Sequence, residues 1–149
     1  MDGTDGQISS DRFAIAVPSN LSCAEDVVGK AVDFIRAKHV DIDMYGFQIV
    51  LYEAISNAMR HGNKSDPAKL VSIGVEVCGK VLAITVEDQG DGFDWRVAFR
   101  EDARDDDDPP LPFGRGGLLM MAYGYQRRYN EKGNRLVLST VWPPPPPPA

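Results

Sequence analysis

Met44-Tyr-Gly-Phe-Gln-Ile-Val-Leu-Tyr-Glu53-Ala-Ile-Ser-Asn57-Ala-Met-Arg-His61-Gly62 is the stretch whose reading decides the fold. Phe47, Leu51, Ala54, Ile55 and Ala58 recur at helical intervals. They predict an amphipathic helix from about Met44 to His61, capped by Asp41 or Asp43 and stopped by Gly62. Glu53 and Asn57 are four apart, so they stand one turn above each other, about 40° apart around the axis. Leu51 and Ile55 point to the opposite side. A carboxylate can serve as a general base, and an amide oxygen suits a hard cation such as Mg²⁺.

Upstream, Phe13-Ala-Ile-Ala-Val17 is a short apolar run stopped by Pro18, which predicts a first strand. Ser22 and Glu25 have capping-box spacing, and Val27, Ala31, Phe34 and Ile35 carry a helix to Lys38 and His39 despite Gly29. Downstream, Val71–Val77 and Val81–Glu87 are rich in β-branched residues and flank Cys78-Gly79-Lys80, a predicted hairpin. A Gly/Asp loop over Asp88–Asp94 and a helical turn around Trp95–Phe99 follow. Next come an acidic, proline-rich segment over 100–113 and an apolar helix from Leu118 to about Tyr123. Tyr125–Tyr129 and Arg135–Val141 bracket a second predicted hairpin turn. Residues 1–11 read as a flexible tail, and Pro143–Pro148 as an extended polyproline rod within a 143–149 tail. One domain over 12–142 remains. Its pattern predicts an α+β fold, a two-layer α/β sandwich with helices on one face of a mixed, mainly antiparallel sheet.

The 149 residues carry a net charge of −6, but residues 85–108 hold ten acidic and three basic side chains. The acidity is therefore local. An acidic chain is a poor fit to nucleic acid, and no run approaches the ~18 apolar residues of a membrane span. Two cysteines, Cys23 and Cys78, and two histidines, His39 and His61, provide no metal-ligand spacing. The opening MDGTDGQISSDR lacks the basic and apolar regions of a signal peptide, so the cytoplasm is the expected compartment.

Two further features carry chemistry. Asp88-Gln-Gly-Asp-Gly92 closes a predicted strand with an acid and two glycines, which let backbone approach a planar ligand. Gly114-Arg115-Gly116-Gly117 precedes an apolar helix, and free N–H groups at a helix start suit a phosphate.

Taken together and in this order, the boxes Glu53–Gly62, Asp88–Gly92 and Gly114–Met121 resemble the Bergerat-fold (GHKL) ATPase/kinase superfamily. The likeness is to its small anti-sigma-factor serine/threonine kinases, and it covers roughly residues 13–141. It implies an ATP- and Mg²⁺-dependent protein kinase that phosphorylates an antagonist (STAS-type) protein and sequesters a sigma factor, with a homodimer as a further assembly. By the same resemblance Glu53 is the general base, Asn57 the Mg²⁺ ligand and Asp88 the acceptor of the adenine amino group. Gly90 and Gly92 let the chain pass close to the nucleotide. Gly114, Arg115, Gly116 and Gly117 close over the triphosphate, and residues 96–113 form an ATP lid. Asn134 stands where the family usually has a threonine supporting the adenine-binding acid. Rival readings are an ATP-binding regulatory module without transfer, and a histidine-kinase-type catalytic domain acting in trans.

Overall fold

The structure is a computed structural model that describes residues 7–8, 12–94 and 120–143. The helical turn expected near Trp95, the lid over 96–113, the Gly114–Gly117 box and the polyproline run beyond Pro143 lie outside the described residues.

The elements are β1 (Gln7–Ile8), β2 (Arg12–Pro18), α1 (Leu21–Ala37), α2 (Met44–Asn57), a π-helical turn (Ala58–Gly62), β3 (Leu70–Cys78), β4 (Val81–Glu87), β5 (Gln126–Tyr129) and β6 (Arg135–Val141). The strands form one sheet in the order β1-β2-β3-β4-β6-β5. Every described pairing is antiparallel. The first strand of the sheet, β1, comes from the segment read as a loose tail.

Alternation fixes which face is inward. Phe13, Val75, Ile84 and Leu138 are direct partners across four strands, and all four are buried. Ala24, Val27, Ala31 and Ile35 of α1, with Phe47, Val50, Leu51 and Ile55 of α2, are buried in the same core. Each large apolar side chain fully withdrawn from water there contributes about 1.5–3 kcal/mol. The opposite face of the sheet carries the small, half-exposed row Ala14, Gly74, Thr85 and Val137. The fold is thus the two-layer α+β sandwich expected.

One helix start differs from the sequence expectation and one agrees with it. Asn20, not Ser22, caps α1, because the helix begins at Leu21 and the residue before it is extended. The Asn20 side chain accepts the Ser22 N–H at 3.0 Å and the Ser22 hydroxyl at 2.8 Å. Asp43, one of the two candidates, caps α2 by accepting the Gly46 N–H at 3.1 Å.

The α-helical part of α2 ends at Asn57, and the chain continues through the π turn, marked by Asn63 N–H donating to Ala58 O at 2.8 Å. That widened turn carries Asn63 into the core, where it is fully buried. Its Oδ1 accepts the Gln89 N–H (2.8 Å), while its Nδ2 donates to Ser19 Oγ (2.9 Å) and Leu70 O (3.0 Å). Three segments far apart in the chain are tied at one amide. Asn63→Ala leaves the Gln89 N–H and the Leu70 C=O, both in part-buried bonds, without that partner, at about 3 kcal/mol together. A thermal melt should show Tm falling by roughly 6–12 °C. A shift under about 2 °C would show that the three segments hold together without Asn63.

Candidate functional site

The end of α2, the loop after β4 and the β5–β6 turn meet over a narrow cleft. Ala54, Asn57 and Ala58 line one side, Val86 and Asp88 the floor, and Met120, Tyr129, Gly133, Asn134 and Leu136 the rest. The walls are mostly apolar, and the few polar groups among them include the buried Asn57 and Asp88 and the half-buried Tyr129 and Asn134. A lining of this kind suits a planar, largely apolar ring with a few polar atoms at its edge.

Asn57 is 3% exposed, and its Nδ2 has no hydrogen-bond partner. A buried amide nitrogen without a partner costs about 1–3 kcal/mol, so it marks a place where a polar ligand atom would be stabilised. Turning the amide through 180° presents its oxygen instead, which suits a hard cation. Asn57 therefore fits either a phosphate oxygen or Mg²⁺. Among the described residues no group of three His, Cys, Asp or Glu side chains could hold a metal.

Asp88 is 8% exposed. Burial raises its pKa above the ordinary carboxylate value, the Gly90 N–H opposes that shift, and neighbouring Glu87 adds to it. Asp88 Oδ1 accepts the Gly90 N–H at 2.8 Å. Its main chain is held at both ends by Asn134. The Asp88 N–H donates to Asn134 O at 2.9 Å, and Asn134 Nδ2 donates to Asp88 O at 3.0 Å. Asn134 supports the acid through its backbone rather than its carboxylate.

The glycines of this region make close contacts within the protein. A Cβ at Gly62 would overlap the Asp88 carboxylate, and one at Gly90 would overlap Gly62 O. Gly62, expected only to stop a helix, is needed because the π turn presses against Asp88. Gly92, at φ +80, packs its α-carbon against Lys132 O, and the next N–H, that of Phe93, donates to the same oxygen at 3.1 Å. The loop is thereby clasped to the β5–β6 turn at both ends. The Phe93 ring meets Tyr129 edge-on at 5.1 Å, and burial pushes the Tyr129 phenol upward in pKa.

The structure thus brings Asn57 and Asp88 into one cleft with Gly90 behind them. It does not bring Glu53 there. Glu53 is half-buried one turn earlier on α2 and borders the α1–α2 groove with Glu25, Val28, Tyr45, Ile49 and Tyr52. Gly114, Arg115, Gly116 and Gly117 lie outside the described residues. Sequence reasoning missed the walls Ala54, Met120 and Tyr129, and the anchor Asn63. An asparagine directly after the His61-Gly62 helix stop was the one local signal for that anchor.

Comparisons with known proteins identify the family. The model of the histidine kinase-like ATPase domain family matches residues 17–140. Anti-sigma F factors of Clostridium perfringens strains SM101 and ATCC 13124 are each 43% identical over 49 residues, 33% of this chain and 35% of theirs. The match thus spans about a third of the length of those curated relatives. Among solved structures, a mycobacterial sensor histidine kinase, MprB, aligns over 85% of this chain and 95% of its own, at 15% identity and TM-score 0.49. The Acinetobacter baumannii histidine kinase AdeS aligns over 85% and 64%, at 17% identity and TM-score 0.47. With the family model covering most of the chain, and with the three sequence boxes in register, this protein belongs to the histidine kinase-like ATPase domain family of the GHKL superfamily.

Proposed function

We propose that the chain is an ATP- and Mg²⁺-dependent protein serine/threonine kinase acting as an anti-sigma factor, which phosphorylates a STAS-type antagonist in a partner-switching system. The observation that carries the nucleotide part is the pairing of an unpartnered buried Asn57 amide with a buried Asp88 carboxylate in one apolar cleft. The partial likeness to anti-sigma F factors supports the regulatory part. The domain is taken as 12–142, acting in the cytoplasm, singly or as a homodimer. Among the described residues no helix is long and apolar enough to cross a membrane.

In this reading Asp88 accepts a hydrogen bond from the amino group of the base, on the carboxylate that Gly90 orients. Asn57 holds the polyphosphate end with Mg²⁺, and the cation neutralises the charge that builds on the phosphates. Gly114–Gly117 and the segment 96–113 close over the phosphates. Glu53 takes the proton from the partner's hydroxyl. The position of Glu53 in the α1–α2 groove, outside the cleft, favours as second reading an ATP-binding module without transfer.

The deciding experiment incubates the protein with Mg²⁺, labelled ATP and a candidate antagonist. Acid-stable label on the antagonist is the expected result. Acid-labile label would indicate histidine chemistry, and nucleotide binding with no transfer to any candidate would favour the second reading. Asn57→Ala should weaken Mg·ATP binding about tenfold and stop turnover, read by calorimetry and labelled-phosphate transfer. Unchanged affinity with and without Mg²⁺ would place the phosphates elsewhere.

A further inference from the structure

The β5–β6 turn contains a hydrogen-bonded relay that ends on the cleft. The Asn130 side-chain oxygen accepts three consecutive backbone N–H groups: Gly133 at 2.8 Å, Asn134 at 3.1 Å and Arg135 at 3.2 Å. That fixes the turn and uses only one end of the amide. The other end, Nδ2, donates to Asn134 Oδ1 at 2.8 Å. An asparagine amide has two chemically different ends, and a donor held on its oxygen decides which way round it sits. With its oxygen so engaged, Asn134 turns its own Nδ2 onto Asp88 O at 3.0 Å. Thus the orientation of Asn134, and with it the second hold on the Asp88 main chain, is set by Asn130. Asn134 itself lines the cleft, whereas Asn130 does not.

We propose that Asn130 is a positioning residue for base recognition: through Asn134 it fixes the Asp88 main chain so that the carboxylate distinguishes a purine bearing a 6-amino group from one bearing a 6-oxo group. The inference rests on the reading of Asp88 as the partner of the base. A carboxylate is an acceptor only. It is matched to the 6-amino donor of adenine and mismatched to the 6-oxo acceptor of hypoxanthine, and the discrimination depends on where the carboxylate stands. Without the Asn130 donor the Asn134 amide can turn over. Its oxygen would then oppose Asp88 O, and the main chain of Asp88 would shift. The close packing of Asp88 against Gly62 converts such a shift into a misplaced carboxylate.

The test compares Mg·ATP with Mg·ITP, which differ at that purine position, by titration calorimetry on the full chain. Two substitutions are used, Asn130→Asp and Asn130→Ser. Both keep a side-chain oxygen for the N–H groups of the turn, and neither places a donor on Asn134: ionised aspartate has none, and the serine hydroxyl ends one bond short of the amide nitrogen. Only the first adds a charge. The expected result is a fall of about tenfold in the ATP-to-ITP affinity ratio for both variants, with ITP affinity nearly unchanged. A parallel loss of both nucleotides would reduce Asn130 to a turn-former and overturn the inference, as would an unaltered ratio. A fall with Asp alone would assign the effect to the new charge and overturn it too. If Asn130→Asp does not fold, Asn130→Ser decides; if Asn130→Ser does not fold, Asn130→Thr takes its place as the uncharged variant. Absence of any ATP preference in the unsubstituted protein would sink the Asp88 reading itself, a result distinct from failure of the relay.

Discussion

Glu53→Gln should leave Mg·ATP affinity within about twofold of the parent while lowering phosphoryl transfer to an antagonist by ~10²–10⁴-fold. The glutamine keeps the size and hydrogen-bonding shape of the side chain and removes only the proton acceptor. Glu53 stands one turn from Asn57 on α2 but borders the α1–α2 groove instead of the cleft. Nucleotide contacts inside the cleft therefore lose nothing. In the proposed role the partner's hydroxyl has to reach Glu53 and the terminal phosphate beside Asn57 at once, which is what the transfer measurement tests. Single-turnover transfer and equilibrium binding measured on the same preparation separate the two effects. Loss of ATP affinity, or of the folded state by circular dichroism, would make Glu53 structural. Transfer at the parent rate would place the base elsewhere and strengthen the reading of a binding module without chemistry at Glu53.

Asp88→Asn should reduce ATP affinity by at least about 100-fold, because the Gly90 N–H holds the side-chain oxygen and the amide nitrogen, a donor, is then turned to the donor amino group of the base. The same variant should melt higher than the parent near neutral pH. The sign follows from the pKa. Burial raises Asp88 above its unfolded value of 3.8, so the folded protein binds a proton there more readily than the unfolded chain. That linkage favours folding below the unfolded value and fades as pH rises through the folded one, where the ionised carboxylate is buried at a cost. Asparagine carries no such charge. The gap in Tm between variant and parent should accordingly be present near neutrality and narrow on acidification towards pH 3.8. ATP binding retained by Asp88→Asn would remove the base-recognition role. A variant that melts lower at neutrality would mean that the Gly90 N–H bond to the carboxylate outweighs its burial. In that case Asp88 holds the loop together as well as facing the ligand.

The candidate site was legible where chemistry and local pattern coincide. Asn57 and Asp88 stand out as polar groups at fixed places on a helix and at a strand end, and both are buried in one cleft. The functions of Gly62 and Gly90 were not legible. Each glycine looks like a stop or a turn in sequence, and only the approach of the π turn to the Asp88 loop shows why a side chain has no room at either position. Asn63 was hidden for the same reason, since its partners Ser19, Leu70 and Gln89 are separated from it by 44, 7 and 26 positions.

By itself the sequence determined β2 to β6, the two long helices and their inward faces, though not β1 or the π turn. Periods of two and 3.6 are local properties, and the hairpin expected over 71–77 and 81–87 forms as Leu70–Cys78 and Val81–Glu87. Tertiary structure decided what those elements enclose. Insertion of β6 between β4 and β5 sets the β5–β6 turn over the end of β4, so that Asn134 reaches Asp88 across 46 positions. The π turn rotates the end of α2 so that Asn63 is buried and Gly62 meets the same acid. Neither result follows from hydrophobic pattern, because both depend on which buried polar groups find partners once distant segments pack, and that is settled only when the whole core closes.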